Sequence, residues 1–202
     1  MPGIYTRPSW SAQQFTGGNK KLLGLVDRGF TLPELMMVIA IIGLLIALAA
    51  PQWSATRSEL SAWMWQRELS GGLERARAHS ISYAAPVSLC GGTPTHGCSA
   101  EQWSSGWIAF EDPQAERSCS GVDSSGNCEG HGGKVLEIGR GVTDNLEVSG
   151  NHNVRHGVHY SPDNWGVAPG TFKVCRGEQH LGSIIISRSG RVRRAAGNDE
   201  GC

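Results

Sequence analysis

The sequence predicts an α+β protein, in which a long N-terminal helix packs on a small antiparallel β-sheet domain that is held by disulfides. Three observations support this fold class. An unbroken apolar run over residues 35–50 is followed, up to residue 84, by apolar residues at spacings of three and four. After Pro86 the pattern changes to short β-type runs between turn residues. Six cysteines lie in that second half, with no C-x-x-C pair to indicate a zinc site.

Residues 1–29 form a polar leader without a periodic pattern, which we interpret as a targeting segment rather than as part of the fold. The leader contains four Lys or Arg residues against one Asp, so its charge is +3, whereas the rest of the chain carries −3. A positive segment before an apolar span indicates that the following domain lies outside the cytoplasm.

The apolar segment from Phe30 to Ala50 contains 21 residues, about the number that spans a hydrocarbon core. Glu34 lies just inside it, where a carboxylate costs roughly 2.5–3.5 kcal/mol on insertion scales, so we expect this residue to have a partner. Pro33 is tolerated in the first helical turn, but Pro51 lies in the interior and predicts a kink. The alternative is an ordinary secretory signal peptide, cleaved to leave a chain that begins at Ala50. That alternative leaves the carboxylate unexplained.

Beyond the apolar run, a stripe of apolar residues predicts an amphipathic helix that ends near Ala85 and Pro86. The adjacent glycines Gly71 and Gly72 are a weak point in it, at a cost of about 1 kcal/mol each. The stripe consists of Ala62, Trp65, Leu69, Leu73, Ala76, Ser80 and Ala84.

Eight runs after Pro86 have the pattern of strands, and two long loops separate the first three of them. The six cysteines allow 15 connectivities, of which we expect the sequential one, because the first two pairs bracket short glycine-rich loops. Each closed loop contributes about 2–4 kcal/mol to stability. The expected disulfides are Cys90–Cys98, Cys119–Cys128 and Cys175–Cys202. The predicted strands are 87–90, 107–110, 135–138, 146–148, 154–160, 171–175, 183–188 and 191–194.

A seven-residue segment at 28–34, with the sequence RGFTLPE, resembles the cleavage site of type IV pilins and pseudopilins. The resemblance implies that a prepilin peptidase cuts between Gly29 and Phe30 and methylates the new N-terminus. It also implies that Glu34 pairs with the N-terminal ammonium of a neighbouring subunit during assembly. The implied location is a single-pass position in the bacterial inner membrane, with the globular domain in the periplasm, and then an extracellular position in the pilus. The implied domains are a cleaved leader at 1–29, a transmembrane and filament-core helix at 30–57 and a globular pilin domain at 58–202.

Two later segments resemble the GspH/FimT branch of minor pilins and pseudopilins. They are residues 103–112 (WSSGWIAFED) and 184–193 (IIISRSGRVR). This resemblance implies the type IV pilin fold, with other major and minor pilins as partners.

The C-terminal part of the chain carries a local excess of positive charge. Residues 173–194 hold six Lys or Arg residues and one acidic residue, which gives +5 within a segment of an otherwise acidic chain. Such a patch indicates an anionic partner. The basic residues are Lys173, Arg176, Arg188, Arg191, Arg193 and Arg194.

A tight turn at Ser189-Gly190 predicts that Arg191 and Arg193 share one face of the last strand, while Val192 points to the other. Guanidinium groups suit phosphate oxygens, so this hairpin is expected to hold a DNA backbone without reading its sequence. The alternative is that arginines on an edge hairpin only maintain solubility and prevent strand pairing.

The sequence GRVR at 190–193 resembles the Gly-Arg-x-Arg motif of FimT-type minor pilins, which bind DNA during natural transformation. The resemblance implies that Arg191 and Arg193 contact double-stranded DNA and that Gly190 shapes the turn. Two further candidates are added by proximity alone, Arg188 and Arg194. We therefore predict a minor type IV pilin that binds extracellular duplex DNA for uptake. The alternative is a structural minor pilin or pseudopilin that primes assembly of a pilus or of a type II secretion pseudopilus without binding DNA.

Other groupings of polar residues do not predict a site. On a strand His152 and His156 share a face while His159 points away, so no metal site is expected. Asp123 opens a loop that lacks the downstream glutamate of a calcium site. Among the tryptophans, Trp165 is the one expected to be exposed enough to stack on a base. Since the chain has no recognisable nucleophile with its base and no phosphate loop, we expect neither enzymatic activity nor a cofactor.

Overall fold

The computed structural model describes residues 29–130, 133–143, 145–163, 167–198 and 201–202, without the side chains of 49–55. Residues 1–28 of the predicted leader, which runs over 1–29, and the candidate Trp165 lie outside the described residues. The chain divides into two compact units, Met1–Leu45 and Ile46–Cys202. The elements of the described part are α1 (Leu32–Tyr83), β1 (Val87–Thr93), β2 (Gly97–Cys98), a 3-10 helix (Gln102–Ser105), β3 (Gly106–Glu111), β4 (Val135–Arg140), β5 (Glu147–Gly150), β6 (Val158–Tyr160), β7 (Gly170–Arg176), β8 (Gln179–Ile186) and β9 (Val192–Ala196).

Helix α1 begins at Leu32, with Glu34 in its first turn. The carbonyl oxygen of Thr31 accepts the backbone N–H groups of Glu34 and Leu35, each at 3.1 Å. A carboxylate at this position interacts favourably with the positive end of the helix dipole. The residues that flank the predicted cleavage point, Gly29 and Phe30, precede the helix and are exposed.

The apolar side chains of the first unit are exposed from Phe30, at 82%, to Leu45, at 60%. An apolar surface of this extent is typical of a segment that contacts a membrane or a partner protein. Within the described residues, no helix combines the length and the apolarity that crossing a membrane requires. The transmembrane assignment of 30–57, like the other domain boundaries, stays a prediction.

In the second unit, the predicted apolar stripe of α1 is confirmed over most of its length. Six of its residues, from Ala62 to Ser80, are at most 3% exposed. Ala84 is an exception and is exposed, because the helix ends at Tyr83, before this residue. Ala84 has a left-handed φ of 50°, and Pro86 follows, so the helix cannot continue. The helix is continuous through Pro51, and the predicted kink there stays a prediction.

The strands form two antiparallel sheets, which confirms the predicted α+β class. One sheet has the order β2-β1-β3-β4, with β6 also paired to β1, and the other has the order β5-β7-β8-β9. The buried face of α1 and residues of both sheets form one hydrophobic core. In it the rings of Trp103 and Phe172 meet edge to face, with their centroids 4.6 Å apart. A smaller cluster around Ile108 and Phe110 packs beneath two of the disulfides.

All eight predicted strands are present, but several end elsewhere. Only Val158–Tyr160 of the strand predicted at 154–160 is extended. The preceding residues form a turn, in which the carbonyl oxygen of Asn151 accepts the N–H groups of Val154 and Arg155 at 3.0 Å. The strand predicted at 183–188 ends at Ile186, and the last strand begins one residue later than predicted, so residues 187–191 form a loop.

The three disulfides have the sequential connectivity that we predict. The Cα atoms lie 5.5 Å apart in Cys90–Cys98, 5.2 Å apart in Cys119–Cys128 and 6.1 Å apart in Cys175–Cys202. The first two disulfides close neighbouring loops, which are joined because the N–H of Cys98 donates to the carbonyl oxygen of Cys119 at 2.6 Å. The third ties the C-terminal residue to strand β7.

Candidate nucleic-acid interface

Residues 184–194 form the predicted basic hairpin, which consists of the end of β8, a loop and the start of β9. We call it the arginine hairpin. Strand β9 is the edge strand of its sheet, so in the part of the chain that the structure describes one side of its backbone has no neighbouring strand. On β8 the side chains of Ile184 and Ile186 are buried in the core. The paired residues are Ile186 with Val192, Ile185 with Arg193 and Ile184 with Arg194. The charged strand is therefore attached to an apolar strand that fixes its position.

The loop between the two strands is closed by hydrogen bonds around Ser187. The N–H of Gly190 donates to the carbonyl oxygen of Ser187 at 2.8 Å, and the N–H of Ser187 donates to the carbonyl oxygen of Arg191 at 3.0 Å. The Ser187 hydroxyl oxygen also accepts the N–H of Arg191 at 3.2 Å. Gly190 has a φ of 75°, which other residues adopt only with strain. The loop therefore has one defined shape, and the turn that we predict at Ser189-Gly190 lies within it.

Four arginine side chains project from this hairpin and are exposed to solvent. Within the described part of the chain, none of their guanidinium groups takes part in an ion pair. Their donors therefore remain available to an external anion. They are Arg188, Arg191, Arg193 and Arg194.

The arginines differ in their positions on the hairpin. Arg191 belongs to the loop, so the strand alternation on which its predicted common face with Arg193 depends does not extend to it. Arg193 stands opposite Ile185, whereas Arg194 stands opposite the buried Ile184. Residues directly opposite each other in an antiparallel pair share a face, so Arg193 and Arg194 point to opposite faces at the sheet edge. The hairpin presents its charge around its rim rather than on one flat face.

The two remaining basic residues of the predicted patch do not join this group. Arg176 is the last residue of β7, and its guanidinium donates at 2.6 Å to the side-chain oxygen of Gln179, which begins β8 at the end away from the hairpin. Lys173 is in the middle of β7, and its ammonium donates to the carbonyl oxygen of Gly201 at 3.3 Å. Of the six basic residues in the predicted patch, only the four arginines of the hairpin therefore lie together.

A groove between α1 and β9, with a volume of about 960 Å³, adjoins the hairpin. The β9 side of the groove contains Arg193 and Arg194, and the helix side contains Glu59, Trp63 and Glu74. The two carboxylates oppose an anion inside the groove, so phosphate contacts are expected on the outer rim. Sequence reasoning missed the helix side, because its residues precede β9 by more than 100 positions and carry no local signal.

The buried Ser88 and Asp112 meet the partly buried His159 elsewhere in the domain. The Ser88 hydroxyl donates to the Asp112 carboxylate at 2.6 Å and lies 2.9 Å from Nδ1 of His159. Burial lowers the pKa of His159 below its usual value, although the negative charge of Asp112 opposes this shift. Ser88 is fully buried and bonds the carboxylate directly, whereas a catalytic serine is exposed and bonds the histidine that the carboxylate orients. This group is a structural hydrogen-bond network that joins β1, β6 and the loop after β3.

Within the described residues, no three His, Cys, Asp or Glu side chains gather in a way that could hold a metal ion. Asp123 forms a local turn instead, in which its carboxylate accepts the N–H groups of Asn127 at 2.9 Å and Ser125 at 2.8 Å. These hydrogen bonds, that of Asn127 first, hold the pKa of Asp123 below its usual value.

Comparison with protein families gives two matches. Residues 66–190 match the family described as type II transport protein GspH, and residues 26–50 match the prokaryotic N-terminal methylation motif. The first match ends at Gly190, so Arg191, Arg193 and Arg194 lie beyond it. A comparison with curated proteins gives no significant match.

Two crystal structures of the type IV minor pilin FimU of Pseudomonas aeruginosa (strain PAO1) are similar to this chain. The crystal form in space group P21 has 18% sequence identity and a TM-score of 0.44, and the similarity covers 65% of this chain and 85% of that one. The form in space group P65 has 19% identity and a TM-score of 0.43, with 65% and 90% covered.

Proposed function

The chain belongs to the type II transport protein GspH family and carries the N-terminal methylation motif, and on this premise we propose that it is a minor pilin whose arginine hairpin binds duplex DNA outside the cell. The family makes it a minor type IV pilin or pseudopilin, which acts together with other pilins. The methylation motif implies processing as a membrane-anchored pilin, with the globular part in the periplasm or the pilus.

The observation that carries the DNA proposal is the set of four exposed arginines on one edge hairpin, none of which forms an ion pair with another described residue. Planar guanidinium groups bind phosphate oxygens with two parallel hydrogen bonds. Strand β8 is also paired with β7, so the hairpin is the edge of a four-stranded sheet rather than a free ribbon that could enter the major groove and read bases, and we expect binding without sequence preference. The GRVR sequence at 190–193 resembles the Gly-Arg-x-Arg motif of FimT-type minor pilins, which bind DNA during natural transformation.

The test is a titration of random-sequence duplex DNA with the full chain in a non-ionic detergent, at several salt concentrations. Each phosphate contact contributes about 0.9 to the slope of log affinity against log salt, so four arginines give a slope of about −3.6. A fourfold rise in salt then lowers the affinity about 150-fold. Absence of binding even in dilute salt would refute the DNA-binding role and leave the pilin assignment intact.

We further propose that prepilin peptidase cuts between Gly29 and Phe30 and methylates Phe30, and that Glu34 then pairs with the N-terminus of a neighbouring subunit. Mass spectrometry of the chain from its native membrane is expected to find an N-terminal methylated Phe30. A chain that begins at Ala50 would instead indicate an ordinary signal peptide.

The second candidate function is structural, and the description of the matching family as a type II transport protein favours it. In this role the chain primes assembly of a pilus or of a secretion pseudopilus, and the arginines only protect an exposed sheet edge from pairing. Both functions share the helix and the fold. The arginine hairpin is the part of the molecule that distinguishes them.

A further inference from the structure

We propose that Arg77 of helix α1 is a fifth phosphate-binding residue, placed across a cleft from Arg191. This inference rests on the proposed DNA-binding function and extends its site from the hairpin to the helix. The two residues are 114 positions apart in the sequence, and the fold brings them to the same opening.

The contact between helix and loop centres on Gly190. A Cβ atom built on Gly190 would lie 3.1 Å from Nε and 3.3 Å from Cδ of Arg77. The Arg77 side chain therefore lies directly over the glycine, in the space that any larger residue would occupy. Gly190 is buried at this point, although the residues on either side of it are exposed. The glycine thus has a second role beyond its positive φ, because it allows the helix arginine to approach the loop.

Arg77 and Arg191 line one cleft of about 580 Å³, which is open to solvent. The cleft also contains the apolar side chains of Ala78 and Ile81 and the carboxylate of Glu74. Two guanidinium groups against one carboxylate leave a net charge of +1. Removal of either arginine would make the cleft neutral, so we expect the variant cleft to bind a phosphate more weakly.

The guanidinium of Arg77 is available for a ligand. Its side chain is exposed and, within the described residues, makes neither an ion pair nor a hydrogen bond. Arg75, two positions earlier, is different, because its Nε donates to a carboxylate oxygen of Glu137 on β4 at 2.8 Å. The two arginines are on one helix and equally charged, but Arg75 already has an anionic partner. Arg75 therefore provides a matched control.

The experiment measures duplex DNA binding by the full chain in non-ionic detergent for the wild type, Arg77→Gln, Arg77→Lys and Arg75→Gln. Glutamine keeps most of the side-chain packing and removes the charge. We expect Arg77→Gln to lower the affinity about tenfold and to reduce the salt slope by about 0.9, which is the effect of one lost phosphate contact. Arg77→Lys keeps the salt slope, and Arg75→Gln keeps both the affinity and the slope.

Thermal unfolding of each variant, followed by near-UV circular dichroism, shows whether the fold is retained. A change in salt slope is not expected from a purely structural role of Arg77. If the wild type binds DNA and the double variant Arg191→Ala/Arg193→Ala binds more weakly, but Arg77→Gln behaves like Arg75→Gln, the inference about Arg77 is wrong and the proposed function stands. If the wild type does not bind DNA, the proposed function is wrong and the inference falls with it.

Discussion

Replacing Arg191 and Arg193 together by alanine is expected to weaken binding of duplex DNA about 100-fold. Each guanidinium contributes a hydrogen bond to a charged group, worth about 1.5 kcal/mol. Loss of both costs about 3 kcal/mol, and each 1.4 kcal/mol corresponds to a factor of ten in affinity. The salt slope falls by about 1.8, because two phosphate contacts are lost. A titration of the full chain across a range of salt concentrations measures both quantities.

The control for this variant removes the same amount of charge from another part of the domain. Arg75 is paired with Glu137, and Arg140 ends strand β4 in the other sheet. Their joint replacement by alanine lowers the net charge equally, and the exposed ion pair that it removes is worth at most about 1 kcal/mol. If the two double variants lowered the affinity for DNA equally, binding would depend only on the net charge of the protein. The proposal that the hairpin binds DNA would then be wrong.

The hairpin was predictable because its residues are neighbours in the chain. The turn, the arginines and the apolar strand that anchors them fall within residues 184–194, so the local sequence pattern was sufficient to predict the hairpin. Its detailed geometry was less predictable. A five-residue loop replaces a two-residue turn, because Ser187 bonds across to Arg191, and this moves Arg191 off the strand. The contact of Arg77 with Gly190 depends on tertiary packing and has no counterpart in sequence spacing.

The helix stripe and the disulfides also show that features set by residues close in the sequence can be predicted, whereas features set by tertiary packing cannot. The stripe from Ala62 to Ser80 follows from periodicity, since burial of one helix face requires it. The disulfide order follows from short loops that bracket two of the pairs. The pattern at 154–160 was misleading, because the apolar Val154 is buried from a turn rather than from a strand.

The paired glycines of the helix were interpreted from the sequence as a weak point, and the structure gives one of them a packing role. A Cβ atom on Gly72 would overlap the ring of Trp107, which is fully buried. A Cβ atom on Gly139 of β4 would overlap the same ring at Cε2 and Nε1, so the indole packs directly against both glycines. Trp107 is thus enclosed between two glycines, one on the helix and one on the sheet. A Cβ atom on Gly71 would meet only the flexible end of Arg75, at 2.8 Å.

Gly72→Ala is therefore expected to destabilise the domain by about 2 kcal/mol, since overpacking costs about 3 kcal/mol and better helix propensity returns about 1 kcal/mol. The midpoint of thermal unfolding falls by about 4–8 °C. The neighbouring Gly71→Ala has the helix benefit and displaces only the end of the exposed Arg75 side chain, so we expect its midpoint to rise by about 2 °C. Near-UV circular dichroism of the full chain in detergent measures both midpoints. A rise in both midpoints would contradict the enclosure of Trp107, because helix propensity alone would then explain the effect of each substitution.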